Sequence, residues 1–153
     1  MTLWLRSTGR GSDRNGMATI LVDTDVYSYI TSSNRKRGEP YKPHLQGNTI
    51  ALSFITVGEQ YYGYRRKIDK GEWAESRIQT LEVGLALVAI VPYDIEVCRT
   101  YGKLRASLQQ YSASPNDLWI AACAVRHSLT LVTNNRKHFD KVPGLTFISE
   151  APG

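Results

Sequence analysis

Four carboxylates stand where chemistry could be done. Asp23 and Asp25 directly follow the short aliphatic run Thr19 to Val22, Glu59 lies about two turns into a helical stretch that follows Thr49 to Leu52, and Asp117 falls in the first turn of another helix. Each acid alone has an ordinary structural use. Asp23 or Asp25 can cap a helix, Asp117 can complement a helix dipole, and Glu59 can be solvated surface. Together they are another matter, because carboxylates crowded at one sheet edge repel unless a cation neutralises them, and hard oxygen ligands suit Mg²⁺ or Mn²⁺. Such a site can activate water, hold a phosphate oxygen and stabilise a leaving alkoxide, the work of metal-assisted phosphodiester hydrolysis. Spacing alone leaves phosphatase chemistry and DNA cleavage open.

Other polar residues fall near these acids. Thr24, Thr133 and Asn134 sit at strand ends, where they can orient water or phosphate or merely satisfy turn backbone. The basic groups Arg35-Lys36-Arg37, Arg65-Arg66-Lys67 and Arg136-Lys137, with Tyr61, Tyr62 and Tyr64 nearby, can form a phosphate-binding surface with stacking platforms or a plain solvated surface. Arg136-Lys137 is the favoured pair, since it follows a strand end beside the acids. Cys123 and His127 have helical metal-pair spacing but no second pair to complete a zinc site. No phosphate-cradling GxxxxGK[ST] loop, dinucleotide glycine fingerprint or GxSxG serine elbow occurs.

Positioning such acids requires alternating strands and helices. The spacing predicts strands at Thr19 to Val22, Thr49 to Leu52, Leu87 to Val91, Leu129 to Thr133 and Leu145 to Ile148. Between them it predicts helices over Asp25 to Ile30, from a Ser53 cap to about Lys67, from Trp73 to Leu85, from Asp94 to about Gln110, and from a Ser114 cap to His127. In the fourth of these, Cys98, Tyr101, Leu104 and Leu108 form the stripe expected to face the core, and the helix is expected to end before Ser112. Pro40 and Pro43 limit any helix in the polar stretch Thr31 to Gly47. Such alternation signifies a mostly parallel sheet, and ligands bind beyond the carboxyl ends of its strands.

The 153 residues suffice for one domain, expected over 17–150. Residues 1–16, rich in Gly, Ser, Arg and Asn, are expected to be a disordered leader or extended start. A hydrophobic fraction of 42% and a charged fraction of 22% exclude a disordered or fibrous chain. No apolar run approaches the roughly 20 residues of a membrane span, and none has the form of a secretory signal. A cytoplasmic chain with two reduced cysteines, Cys98 and Cys123, is therefore expected. A net charge of +5 suits a polyanionic partner without demanding one.

From Thr19 to Ile148 the sequence resembles the PIN-domain family, and more closely its VapC-type toxins. The resemblance rests on Leu21-Val22-Asp23-Thr24-Asp25, on Ser53-Phe54-Ile55-Thr56-Val57-Gly58-Glu59 with Tyr62-Gly63, and on Pro115-Asn116-Asp117-Leu118-Trp119-Ile120-Ala121-Ala122. Leu131-Val132-Thr133-Asn134-Asn135 leads on to Phe139 and Val142-Pro143-Gly144-Leu145. It implies a three-layer α/β domain with a central sheet of about five strands, and an RNA endonuclease using Mg²⁺ or Mn²⁺. Asp23, Glu59 and Asp117 match the three acids most often present in the family, as catalytic residues and metal ligands. The fourth acidic position is variable and falls near Asn135, an amide that can act through water, with Asp140 or Asp25 as substitutes. The resemblance also implies products with 5′-phosphate and 3′-hydroxyl, a cognate antitoxin protein and a homodimer. The alternatives are a metal-dependent phosphatase or DNA nuclease, or a PIN-like module that binds RNA or protein without cleaving; retention of all three acids argues against the last.

Overall fold

The computed structural model describes residues 17–32, 36–109 and 113–152. The expected leader over 1–16, Arg35 and Gln110 to Ser112 lie outside them; the helix expected to reach about Gln110 already ends at Ser107. The order of elements is β1 (Thr19–Val22), α1 (Thr24–Thr31), α2 (Lys42–Leu45), β2 (Thr49–Ser53), α3 (Phe54–Asp69), α4 (Arg77–Leu85) and β3 (Ala89–Val91). There follow α5 (Ile95–Ser107), α6 (Pro115–Arg126), β4 (Thr130–Val132), α7 (Arg136–Phe139) and β5 (Phe147–Ile148).

The five strands form one sheet in the order β3-β2-β1-β4-β5, and every neighbouring pair is parallel. Strand side chains alternate between faces, and the core divides accordingly. Leu21, Ala51, Val91 and Leu131 pack on one face with residues of α5 and α6, whereas Ile20, Val22, Leu52 and Val132 pack on the other with Val26, Tyr27 and Tyr41. Both faces being covered, the strands read as continuous apolar runs, as buried parallel strands do. The expected three-layer α/β architecture is the one found.

Helix starts follow the capping residues. Ser53 accepts the N–H of Thr56 at 3.1 Å, Asp94 that of Val97 at 2.7 Å and Ser114 that of Asp117 at 3.2 Å, with Pro115 in the first turn of α6. Each satisfies an N–H left orphaned by the helical pattern. Past the end of α3, Gly71 adopts φ 75°, a left-handed conformation that ends the helix cheaply only at glycine.

Several expected boundaries shift. The helix expected from Trp73 begins at Arg77, because the Trp73 indole folds back onto α3. Its ring lies 4.8 Å from that of Tyr64, with the Lys67 ammonium and Arg77 guanidinium 4.9 and 4.3 Å from its centre. The third strand starts at Ala89, leaving Leu87 84% exposed before the edge. In α5 the core-facing set includes Val97 and Leu104, followed by Leu108, while Cys98 is only half-buried and Tyr101 stacks on Trp119 with centroids 3.8 Å apart. Helices α2 and α7, and the 3-10 turn Glu39–Tyr41, are too short to leave a periodic signal.

Leu21 is fully buried in the central strand. Leu21→Ala is expected to lower unfolding stability by about 2–5 kcal/mol, and Leu87→Ala to change it by no more than about 0.5 kcal/mol. Equilibrium urea unfolding of both variants checks this, and a large loss for Leu87→Ala would restore Leu87 to the sheet.

Candidate active site

The chain lays down β1, β2 and β3 outward in one direction, then returns to place β4 on the other side of β1. At such a switch point the connections leave β1 and β4 in opposite directions and open a crevice beyond their carboxyl ends. Asp23 follows β1 there, and Thr133 follows β4.

Asp23 caps α1, one carboxylate oxygen accepting the N–H of Val26 at 3.0 Å. The other oxygen accepts the Thr133 hydroxyl. Thr133 Oγ1 in turn accepts the N–H of Asn135 at 3.0 Å, and the Asp23 N–H reaches the Val132 carbonyl at 3.0 Å. The ends of β1 and β4 are thus tied together through one acid. Asp23 is 3% exposed, and burial pushes its carboxyl up to about 6. The Thr133 and Val26 hydrogen bonds oppose that rise, while the neighbouring charges of Asp25 and Asp117 add to it.

The other acids are half-buried, and each has its own tether. Asp25, in the first turn of α1, accepts from the Asn135 amide at 3.1 Å. Glu59, on α3, accepts the Thr24 hydroxyl at 2.7 Å, and Thr24 Oγ1 also lies 3.1 Å from Thr56 Oγ1. Asp117, in the first turn of α6, has a carboxylate oxygen 2.8 Å from His138 Nδ1 of α7. Asp23, Asp25 and Asp117 therefore share one electrostatic neighbourhood, with Glu59 joined to it through the residue after Asp23.

Among the described residues no three Asp, Glu, His or Cys side chains lie at metal-ligand spacing, so these acids do not form a closed cage. The donors nonetheless fit a hard divalent cation. Mg²⁺ typically takes one or two carboxylates and keeps several waters, and Asp23 with Asp117 offers oxygen donors close enough to influence each other. A cation would relieve the repulsion that helps to raise Asp23.

The remaining candidates divide. Thr24 and Thr133 both bond site carboxylates. Asn134 accepts the Tyr41 hydroxyl at 2.6 Å, on the rim rather than on an acid. Asn135 donates to Asp25, so an amide at this position serves as a partner for an acid. Asp140 is exposed past the end of α7. The favoured basic pair is split: Arg136 donates to the Ser149 carbonyl at 2.9 Å, while Lys137 lines a separate cleft. Cys123 is buried on α6, and burial pushes its thiol up to about 12.

Sequence reasoning missed roles for Tyr41, Thr56 and His138. Tyr41 is an isolated aromatic between prolines in a polar stretch, and its burial depends on long-range packing. The neighbour of Asp117 that marks His138 is distant in sequence, and only the position of α7 supplies it.

Residues 20–145 match the family model described as PIN domain. Ribonuclease VapC2 of Rickettsia felis is 32% identical over 131 residues, covering 82% of this chain and 92% of that one. The tRNA(fMet)-specific endonuclease VapC of Shigella flexneri is 27% identical over 131 residues, covering 84% and 96% of the two chains. A solved complex, VapBC2 from Rickettsia felis bound to a DNA fragment from their promoter, superposes with a TM-score of 0.72 at 29% identity, covering 86% of this chain and 98% of its counterpart. The chain belongs to the PIN-domain family and, within it, to the VapC ribonucleases.

The raised carboxyl of Asp23 has a defined effect on stability. Its contribution is fully present below the ordinary value of 3.8 and is lost as pH rises through about 6, because the metal-free fold must then bury a charge. Asn can accept from Val26 and donate to Thr133 Oγ1. In chelator, Asp23→Asn is therefore expected to exceed the parent in stability at pH 7.5 by up to about 3 kcal/mol, with the difference fading toward pH 4. Urea unfolding at the two pH values checks this; a less stable variant at pH 7.5 would mean that the charge supports the metal-free fold.

Proposed function

We propose that this chain is a toxin endoribonuclease that hydrolyses RNA phosphodiester bonds with a divalent cation, Mg²⁺ or Mn²⁺, and is neutralised by a cognate antitoxin protein. The observation that carries the reading is the buried Asp23 carboxylate at the sheet's switch point, within electrostatic reach of Asp25 and Asp117. Ribonuclease relatives and the VapBC complex support the reaction and the partner.

Asp23 and Asp117 are the carboxylates that would hold the cation. When bound, it supplies activation of water and neutralisation of charge on the phosphodiester. The chain's own residues do the positioning. Val26 and Thr133 hold both Asp23 oxygens, and Asn135 holds Asp25. Glu59, kept in place by Thr24, is the carboxylate assigned to orient the attacking water and receive its proton. Asn135 supports the site through water and Asp25 rather than as a direct ligand, and the products carry 5′-phosphate and 3′-hydroxyl.

The setting follows from the reaction. The cytoplasm is the proposed setting, where RNA and a neutralising antitoxin would be met; among the described residues no helix is long and apolar enough to cross a membrane. A homodimer is the proposed working form; Phe54, Ile90, Tyr93 and Ile95, exposed around the β3 edge, suit burial against another chain.

Incubation with labelled RNA, a DNA oligonucleotide and a phosphomonoester, with and without Mg²⁺, tests the reading. RNA alone is expected to be cut, and chelator or Asp117→Asn to abolish cleavage. RNA bound but uncut in Mg²⁺ would make the chain a non-catalytic module, and phosphomonoester turnover would make it a phosphatase. Thr24→Val, which removes the hydrogen bond to Glu59, is expected to lower kcat/KM roughly 10–100-fold, as loss of a supporting partner does around metal sites. Unchanged kinetics would remove Thr24 from the machinery.

A further inference from the structure

Arg136 and Lys137 adjoin in sequence and part in space. The Arg136 guanidinium turns toward the Ser149 carbonyl of the C-terminal segment. Lys137 faces the other way, into a cleft of about 300 Å³ beneath α7. Among the described residues, Leu108, Ala113 and Val142 give this cleft apolar lining, and Lys137 and Lys141 give its wall two ammonium groups, with His138 and the acid Asp140 beside them. His138 belongs at once to that wall and to the active site, since its Nδ1 lies 2.8 Å from Asp117. One lining residue, His138, thus links the cleft to an acid of the proposed catalytic centre.

We infer that this cleft seats a nucleotide of the RNA strand next to the scissile phosphate, with Lys137 and Lys141 neutralising a backbone phosphate. The inference rests on the ribonuclease reading above and names the surface that receives its substrate. The volume is at the small end of ligand sites. A single-stranded segment has an unstacked base and ribose to lay on an apolar floor and a phosphate to set against ammonium groups. Lysine suits that task as a point charge reaching phosphate without fixed geometry. Lys141 passed unnoticed in the sequence because it lies four residues beyond Lys137, across the end of α7.

The test measures RNA binding apart from cleavage. Anisotropy of a labelled single-stranded oligoribonucleotide is followed with the full chain in chelator, across a salt series. The parent is compared with Lys137→Gln/Lys141→Gln and with Lys137→Arg/Lys141→Arg, and Mn²⁺ affinity is measured by calorimetry for all three. Both lysines are exposed, so the core is untouched. The Gln pair is expected to flatten the slope of log affinity against log salt by about 0.7, the value for one phosphate contact on a single strand. The Arg pair is expected to restore the slope, with Mn²⁺ affinity equal throughout. A parent that binds RNA with the same slope as the Gln pair overturns the cleft and leaves the ribonuclease reading standing. A parent that binds no RNA overturns both. Loss of poly-glutamate peptide binding in the Gln pair, with the RNA slope intact, would make the cleft a seat for acidic protein and overturn the assignment to RNA.

Discussion

Much of this structure is arranged around one desolvated carboxylate. Asp23 must lie at the end of β1, under a sheet covered on both faces, and water is therefore withdrawn from it. A buried acid is tolerable when neutral or when its lone pairs are satisfied. Asp23 has two partners, the Val26 N–H and the Thr133 hydroxyl, yet its carboxyl still rises to about 6. What remains unsatisfied is charge. In low dielectric that deficit makes a cation's attraction stronger than it would be in water.

Among the described residues, each of the surrounding acids is held by an amide, a hydroxyl or an imidazole rather than by an arginine or lysine. Asp25 has Asn135, Glu59 has Thr24, and Asp117 has His138. A fixed cation within hydrogen-bond reach would cancel the negative potential that a metal ion needs. Hydroxyl and amide partners orient the oxygens while leaving that potential in place. Lysines are placed further out, on the Lys137–Lys141 wall, while Arg65 and Lys67 near the end of α3 pair with Glu75 and Glu72.

Helix capping and the candidate active site share the same groups. Asp23 caps α1 and Ser114 caps α6 by binding the N–H of Asp117. Two acids are thereby held in first turns, where the helix dipole favours negative charge. The order β3-β2-β1-β4-β5 then sets the start of α1 and the loop after β4 side by side. Local helix chemistry orients each carboxylate, and strand order brings the carboxylates together.

Signals confined to a few neighbouring residues were legible in the sequence. Apolar runs placed the strands, Ser53, Asp94 and Ser114 marked helix starts, and Asp23, Glu59 and Asp117 stood out as acids beyond strand ends. Their motifs also pointed to the family. Pairings across long separations were not legible, because side-chain identity does not encode which distant donor will face a given acid. Thr133 on Asp23, His138 on Asp117 and Tyr41 on Asn134 each join residues 21 to 110 positions apart, and only packing selects them. Trp73 shows the same limit: its helical surroundings predicted an earlier start for α4, but an aromatic contact with Tyr64 outweighed local preference. The sequence by itself determined which residues carry charge and which helices and strands present them. Tertiary structure alone decided how far each charge is desolvated and which neighbour opposes it, because both depend on groups brought close by the fold rather than by the chain.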